Sequence, residues 1–220
     1  MTKHITPILF TLALAIPLAA VEDIPRQWEI RVGYGITPGV STIETAYDKK
    51  PINGVVPTIE SKADGESASG ANIDIIGYLK GSRDGIFGTF IGVGYRNVTW
   101  EATNVKVTGH QAVAEIGALW NLGVKGLDLE MPLTVAGGVA DITATGAMAA
   151  PLTGAFIGSG SAGFRLVYAP VEHVLMSLGA SYTYGGTGGS YVEPRARNLE
   201  GTVTIISSGL AYGAQLGYRF

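Results

Sequence analysis

The chain has 220 residues, of which 46% are hydrophobic and only 15% charged, with a formal net charge of −3. That charge fraction lies well below the ~25% of an average soluble domain, and the slightly acidic balance excludes the basic surface that nucleic-acid binding requires. There is no cysteine, which excludes a disulfide framework, lipidation at a cleavage site and thiolate metal ligation.

Residues 1–20 read as a secretory signal peptide. Lys3 and His4 open it, Ile5 to Leu18 is a nearly unbroken apolar run interrupted by Pro7 and Pro17, and Ala19 and Ala20 precede the acidic Glu22 and Asp23. Cleavage is expected after Ala20, although Leu18 occupies a position that usually carries a small residue. Residues 21–26 form a short lead, and 27–220 form a single domain.

Within that domain no stretch approaches the ~20 consecutive apolar residues of a membrane helix. Apolar residues instead recur at every second position, the period of a strand with two unlike faces. Eight such segments are predicted. The first is Gln27–Thr37, with Trp28, Ile30, Val32, Tyr34 and Ile36 on one face. The second lies near Gly70–Leu79, with Ile73, Ile75 and Leu79 opposed to Asn72 and Asp74. The third runs through Phe87, Thr89, Ile91, Val93 and Tyr95, and the fourth near Gly109–Asn121 opposes Ala112, Ala114 and Ile116 to Gln111 and Glu115. The fifth has the cleanest alternation, with Leu127, Leu129, Met131, Leu133, Val135 and Val139 against Asp128, Glu130 and Thr134. The sixth, near Gly154–Val167, opposes Phe164 and Leu166 to Ser159, Ser161 and Arg165. The seventh places Met176, Leu178, Ala180, Tyr182 and Tyr184 against Ser177, Ser181 and Thr183. The eighth is the terminal strand, with Leu210, Tyr212, Ala214, Leu216, Tyr218 and Phe220 on one face.

The connections alternate in length. Residues 80–85, 121–126 and 168–173 are tight turns, while 38–68, 97–108, 142–153 and 185–203 are expected to be long loops. Short turns at one end, long loops at the other and an even strand number are the plan of an up-and-down transmembrane β-barrel. A soluble sandwich or lipocalin-type barrel also alternates, but it needs a polar exterior, and the less greasy faces here are rich in Gly, Ala and Ser. Aromatic residues gather in two bands: Trp28, Phe87, Trp120, Tyr168 and Phe220 near the short turns, and Tyr34, Tyr95, Tyr182, Tyr184 and Tyr212 nearer the loops. Interfacial girdles are distributed in this way.

The polar faces carry Glu29, Arg31, Asp74, Arg96, Glu115, Asp128, Glu130, Arg165 and Arg219. An eight-stranded barrel is just wide enough for side chains to fill, and charges confined there must pair. The expectation is an internal salt-bridge network that plugs the barrel; a gated path for protons or small ions along the same residues is the alternative.

The signal peptide, the eight alternating strands and the terminal Gly217, Tyr218, Arg219 and Phe220 together resemble the small OmpA, OmpX and opacity-type outer-membrane β-barrel proteins. The resemblance implies an outer-membrane location and a monomer surrounded by lipid and lipopolysaccharide. It also implies that Tyr218 and Phe220 form part of the signal read by the outer-membrane assembly machinery. Such proteins serve as structural proteins, adhesins or surface binders through their loops, possible ligands being an extracellular molecule or a host surface; a few modify lipids. The loops here offer mixed charge in 38–68 and an uncharged stretch around 144–153, and the last loop combines a glycine run with Tyr191, Glu193, Arg195 and Arg197.

No catalytic residue, metal ligand or cofactor site is expected. Among three histidines, His4 lies in the signal peptide, His173 in a short turn, and His110 at a loop base, followed by Gln111 and without the His-x-Ser pattern of barrel deacylases. Residues 185–190 are glycine-rich but lack the Lys-Ser/Thr ending of a phosphate-binding loop. A structural or surface-binding barrel is therefore the expectation, with a lipid-modifying enzyme or a narrow small-solute pore as the alternatives.

Overall fold

The computed structural model describes residues 27–38, 41–46, 69–81, 87–101, 105–144, 152–192 and 200–220; the signal peptide, the lead and most of the first loop lie outside these residues. Among the described residues there are nine strand segments: β1 (Gln27–Thr37), β2 (Ser41–Ala46), β3 (Ser69–Lys80), β4 (Phe87–Glu101), β5 (Val105–Asn121), β6 (Leu127–Ala144), β7 (Leu152–Val171), β8 (Val174–Val192) and β9 (Glu200–Arg219). β3 to β9 pair antiparallel in chain order, β1 pairs with β3 and with β9 to close the sheet, and β2 pairs with β9. The segments make eight barrel strands, because β2 continues β1 along β9 in one register: Ile36 lies opposite Tyr212, and Ser41 opposite Ser207.

The registers define the barrel. From Arg31, successive cross-strand partners are Ile76, Gly94, Val113, Ala136, Ser159, Gly185 and Ser207. Ser207 pairs in turn with Ser41, so the circuit ends ten residues further along the strand on which it began. Such a stagger tilts the strands by roughly 35–45°. On β6, Met131 and Pro132 have no β7 partner between the pairs Glu130/Arg165 and Leu133/Ala162, where the proline ring nitrogen has no hydrogen to donate.

At the end where β1 begins and β9 finishes, the β5–β6 and β7–β8 connections are tight. Gly123 and Gly126 adopt φ of 76° and 78° in the β5–β6 turn, a left-handed conformation that glycine reaches without steric cost. The closing strand is held to its last residue: Arg219 N–H donates to the His173 carbonyl at 2.8 Å and Phe220 N–H to the Trp28 carbonyl at 2.9 Å.

Alternation assigns the faces as the sequence suggests. Ile30, Val32, Ile91, Val93, Ile116, Leu133, Val135, Phe164, Leu178 and Leu216 all point outward and are exposed. Trp28, Phe87, Trp120, Tyr168 and Tyr218 ring the lower end, and Phe87 and Trp120 pack with centroids 4.5 Å apart. Tyr34, Tyr95, Tyr182, Tyr184 and Tyr212 stand further up on the same outer face. This outer surface is the apolar band between two girdles that a bilayer requires.

Two of the expected loops are largely strand and a third is partly strand. The predicted 97–108 loop shrinks because β4 reaches Glu101 and β5 starts at Val105; 142–153 and 185–203 shrink likewise to the connections between β6 and β7 and between β8 and β9. The cause is an inversion of the pattern. On β4 the outward apolar residues Ile91, Val93 and Tyr95 give way to inward Val98 and Trp100, and on β7 outward Phe164 and Leu166 are preceded by inward Ala155 and Ile157. A reading tuned to one apolar face loses the strand where that face changes sides.

Candidate functional site

Stacked inward residues divide the lumen into three layers. The lowest, inside the lower girdle, holds Glu29, Arg31, Lys80, Glu115, Glu130 and Arg165, all buried. Arg31 is central. Its Nη2 lies 2.6 Å from Glu29 Oε2 and 2.7 Å from Glu130 Oε1, and its Nη1 donates to Glu130 Oε2 at 2.9 Å. Around the eight-strand circuit β1 and β6 are as far apart as two strands can be, so the Arg31–Glu130 pair spans the full lumen.

A second strut crosses beside it. Arg165 on β7 donates to Glu130 at 2.8 Å, to Glu115 at 2.6 Å, and to the Tyr78 hydroxyl on the opposite wall at 3.2 Å. The Tyr78 ring carries Arg31 Cζ at 4.4 Å and Arg165 Cζ at 5.2 Å from its centroid; such contacts favour desolvated guanidinium groups. Lys80 Nζ reaches Glu130 at 2.7 Å and Glu29 at 3.3 Å, and Arg219 reaches Glu29 at 2.7 Å. Ile76, Phe90, Val113, Leu119 and Ala136 pack with Tyr78 around this layer, so apolar side chains share the interior with the charges.

Of the sequence-derived network, six residues join here: Glu29, Arg31, Glu115, Glu130, Arg165 and Arg219. Asp74 and Arg96 form a separate pair one layer higher, at 2.8 and 2.9 Å, and Asn72 donates to Asp74 at 2.9 Å. Asp128 lies at the lower rim, where it accepts from Asn121 at 3.4 Å. The sequence reading missed Lys80 and Tyr78. Lys80 reads as the first residue of a turn, yet it shares the even-numbered inward phase of Asn72 and Asp74. Tyr78 sits amid Ile75, Ile76 and Leu79, a run in which alternation is lost. With Lys80 included, the five described lumen acids (Glu29, Asp74, Glu115, Asp128, Glu130) balance five bases (Arg31, Lys80, Arg96, Arg165, Arg219).

The middle layer surrounds a cavity of about 120 Å³ with Asp74, Arg96 and several serines in its walls. The top layer is apolar: Val98, Trp100, Val107, Ala140, Ile142, Ala155, Ile157 and Ile205 form one buried cluster inside the barrel mouth. At that level the outer face turns polar, with Thr99 and Thr108 cross-strand partners and Lys106 paired to Glu101 at 2.5 Å. Val139 and Phe156, partners across β6 and β7, remain apolar and exposed.

The remaining sequence candidates lie apart from the lumen. His110 faces outward beside the upper girdle, where the Tyr95 hydroxyl at 2.5 Å and the Asn97 amide at 3.2 Å converge on its Nδ1. Those contacts leave it in an aromatic and amide setting with no serine or acid partner among the described residues. Among those residues no group of His, Cys, Asp and Glu could hold a metal ion. Tyr218 and Phe220 point outward at the lower rim, edge to face at 5.1 Å, and His173 stacks on Tyr218 at 5.5 Å.

An all-β, closed, eight-stranded antiparallel transmembrane barrel with an ion-paired lumen is the class that this geometry defines. Among solved structures the chain is similar to the outer membrane protein OprG from Pseudomonas aeruginosa, with 12% identity and a TM-score of 0.53 over 88% of this chain and 95% of that one. It is also similar to Ail, the attachment invasion locus protein of Yersinia pestis, with 15% identity and a TM-score of 0.40 over 90% of this chain and 100% of that one. The likeness to OprG is one of fold. No protein-family model matches the chain, and no curated protein does.

Proposed function

We propose that the protein is an outer-membrane barrel closed to steady ion flow, which acts as a structural or surface-binding protein through its extracellular end and does no catalysis. The observation that carries this reading is the lowest lumen layer, where Arg31–Glu130 and Arg165–Tyr78 cross the full width of the barrel. Buried pairs of this kind hold their geometry because separating them strands a charge in a low-dielectric space. In planar bilayers the wild-type protein is expected to be silent, and the double variant Arg31→Ala/Glu130→Ala to conduct. Steady, large wild-type conductance would make the protein a pore instead.

The outward apolar band and its two girdles support residence in the outer membrane as a monomer in contact with lipid and lipopolysaccharide. Export by the signal peptide at 1–20 and binding of an extracellular or host-surface ligand rest on the sequence. The terminal strand supports recognition of Tyr218 and Phe220 by the assembly machinery, since both are presented outward at the rim. Deletion of Phe220 is expected to produce periplasmic accumulation and a loss of the heat-modifiable folded form on gels. Normal levels of folded, membrane-embedded protein after that deletion would remove the assembly role.

A further inference from the structure

We infer that the middle layer of the lumen is a binding chamber for a small, uncharged, polyhydroxylated solute of about glycerol size. This goes beyond the closed-barrel reading, since a chamber above the ion-pair layer can bind whether or not that layer conducts. The cavity of about 120 Å³ has room for about four water molecules at ~30 Å³ each, which is the displacement of a three-carbon polyol.

The space is built into the walls. Gly35, Gly179 and Gly213 line it, and a Cβ at Gly35 would collide with the Asn72 side chain, so glycine there keeps that amide at the chamber surface. On one side Ser159 and Ser161 of β7 and Ser181 and Thr183 of β8 turn inward and line the cavity, with Ser161 and Thr183 cross-strand partners. Hydroxyls both donate and accept, so this wall matches a ligand whose own groups are hydroxyls. Across from it stand Asn72 and the two-point Asp74–Arg96 pair, and the indole of Trp100 lines the upper part. A flat aromatic surface beside planar polar groups suits a molecule with a C–H face and a hydroxylated rim.

Charge pairing decides against an ion. Asp74 is taken by Arg96, and Glu115 on the floor is taken by Arg165 at 2.6 Å and by the Thr134 hydroxyl at 3.0 Å. A charged solute would enter a chamber whose acids and bases already match one another, losing its hydration without gaining a counter-charge.

Trp100 is buried inside, whereas Trp28 and Trp120 face outward, so a Trp28→Phe/Trp120→Phe protein reports on the chamber alone. Folded in lipid vesicles, it is titrated with glycerol, glycine and potassium chloride while Trp100 fluorescence is followed. The expected result is a saturable change with glycerol alone, weakened at least tenfold by Ser161→Val/Thr183→Val with unchanged heat-modifiable mobility. Ser181→Ala, expected to weaken binding severalfold, is carried in parallel should the double variant fail to fold. Absence of a saturable glycerol response, a response equal in the hydroxyl variants, or tighter binding of glycine or salt would overturn the proposal.

Discussion

The membrane-spanning section of this barrel and the section above it are built from the same strands with opposite polarity. Between the girdles, Ile91, Ile116, Leu133 and Leu178 face outward while Arg31, Glu115, Glu130 and Arg165 are buried inside. Above the upper girdle, Val98, Val107, Ile142 and Ile157 turn into the lumen and Glu101 and Lys106 turn out. The difference shows that alternation follows the local solvent: each stretch of strand buries its apolar side away from water, which means toward lipid below and toward the barrel axis above. A single wall therefore has two cores. One combines ion pairs with Tyr78 and the apolar side chains packed around it, the other is made of aliphatic side chains and an indole.

The largest test of this contrast removes the hub of the lower core. Glu130→Ala leaves Arg31, Lys80 and Arg165 without the carboxylate that all three share, and should cost about 3–5 kcal/mol, read from urea unfolding in lipid vesicles. A loss under 1 kcal/mol would mean that the charges are hydrated rather than structural. In the upper core, Ile157→Ala should cost about 2–4 kcal/mol through the cavity it leaves; a neutral result would show that the apolar layer is loosely packed. The sharpest comparison sets one substitution at two heights on the outer face. Leu133→Arg, between the girdles, should cost ~2–4 kcal/mol, whereas Thr99→Arg, above them, should stay within about 0.5 kcal/mol. Equal penalties at the two positions would erase the boundary between the sections.

The spanning halves of all eight strands were legible because each keeps one apolar face for several residues. Gln27–Thr37 and Leu127–Val139 show this most clearly. Six of the nine lumen charges named from the polar faces meet in one network, since period two places them inside and an eight-stranded barrel leaves nowhere else for them to go. The strand tops were not legible. Val98 and Trp100 follow Tyr95 by odd steps, so the apolar phase slips without a break in the backbone ladder, and a slip of phase looks like a loop. Lys80 was hidden for a related reason: beside Gly81 and Ser82 it reads as a turn residue, although its partner Phe90 lies within the sheet.

Composition, alternation and girdle placement are properties of consecutive residues, and they by themselves determined an all-β barrel with a lipid-facing exterior and a charged interior. The tertiary structure decided what depends on residues far apart in the chain. The stagger of ten residues set which inward side chains share a level. That brought Arg31 against Glu130, ninety-nine positions away, set the Tyr78 ring against two guanidinium groups, and stacked an apolar layer over a polar chamber. Alternation says only in or out; height within the barrel is fixed by closure, and closure requires every strand at once.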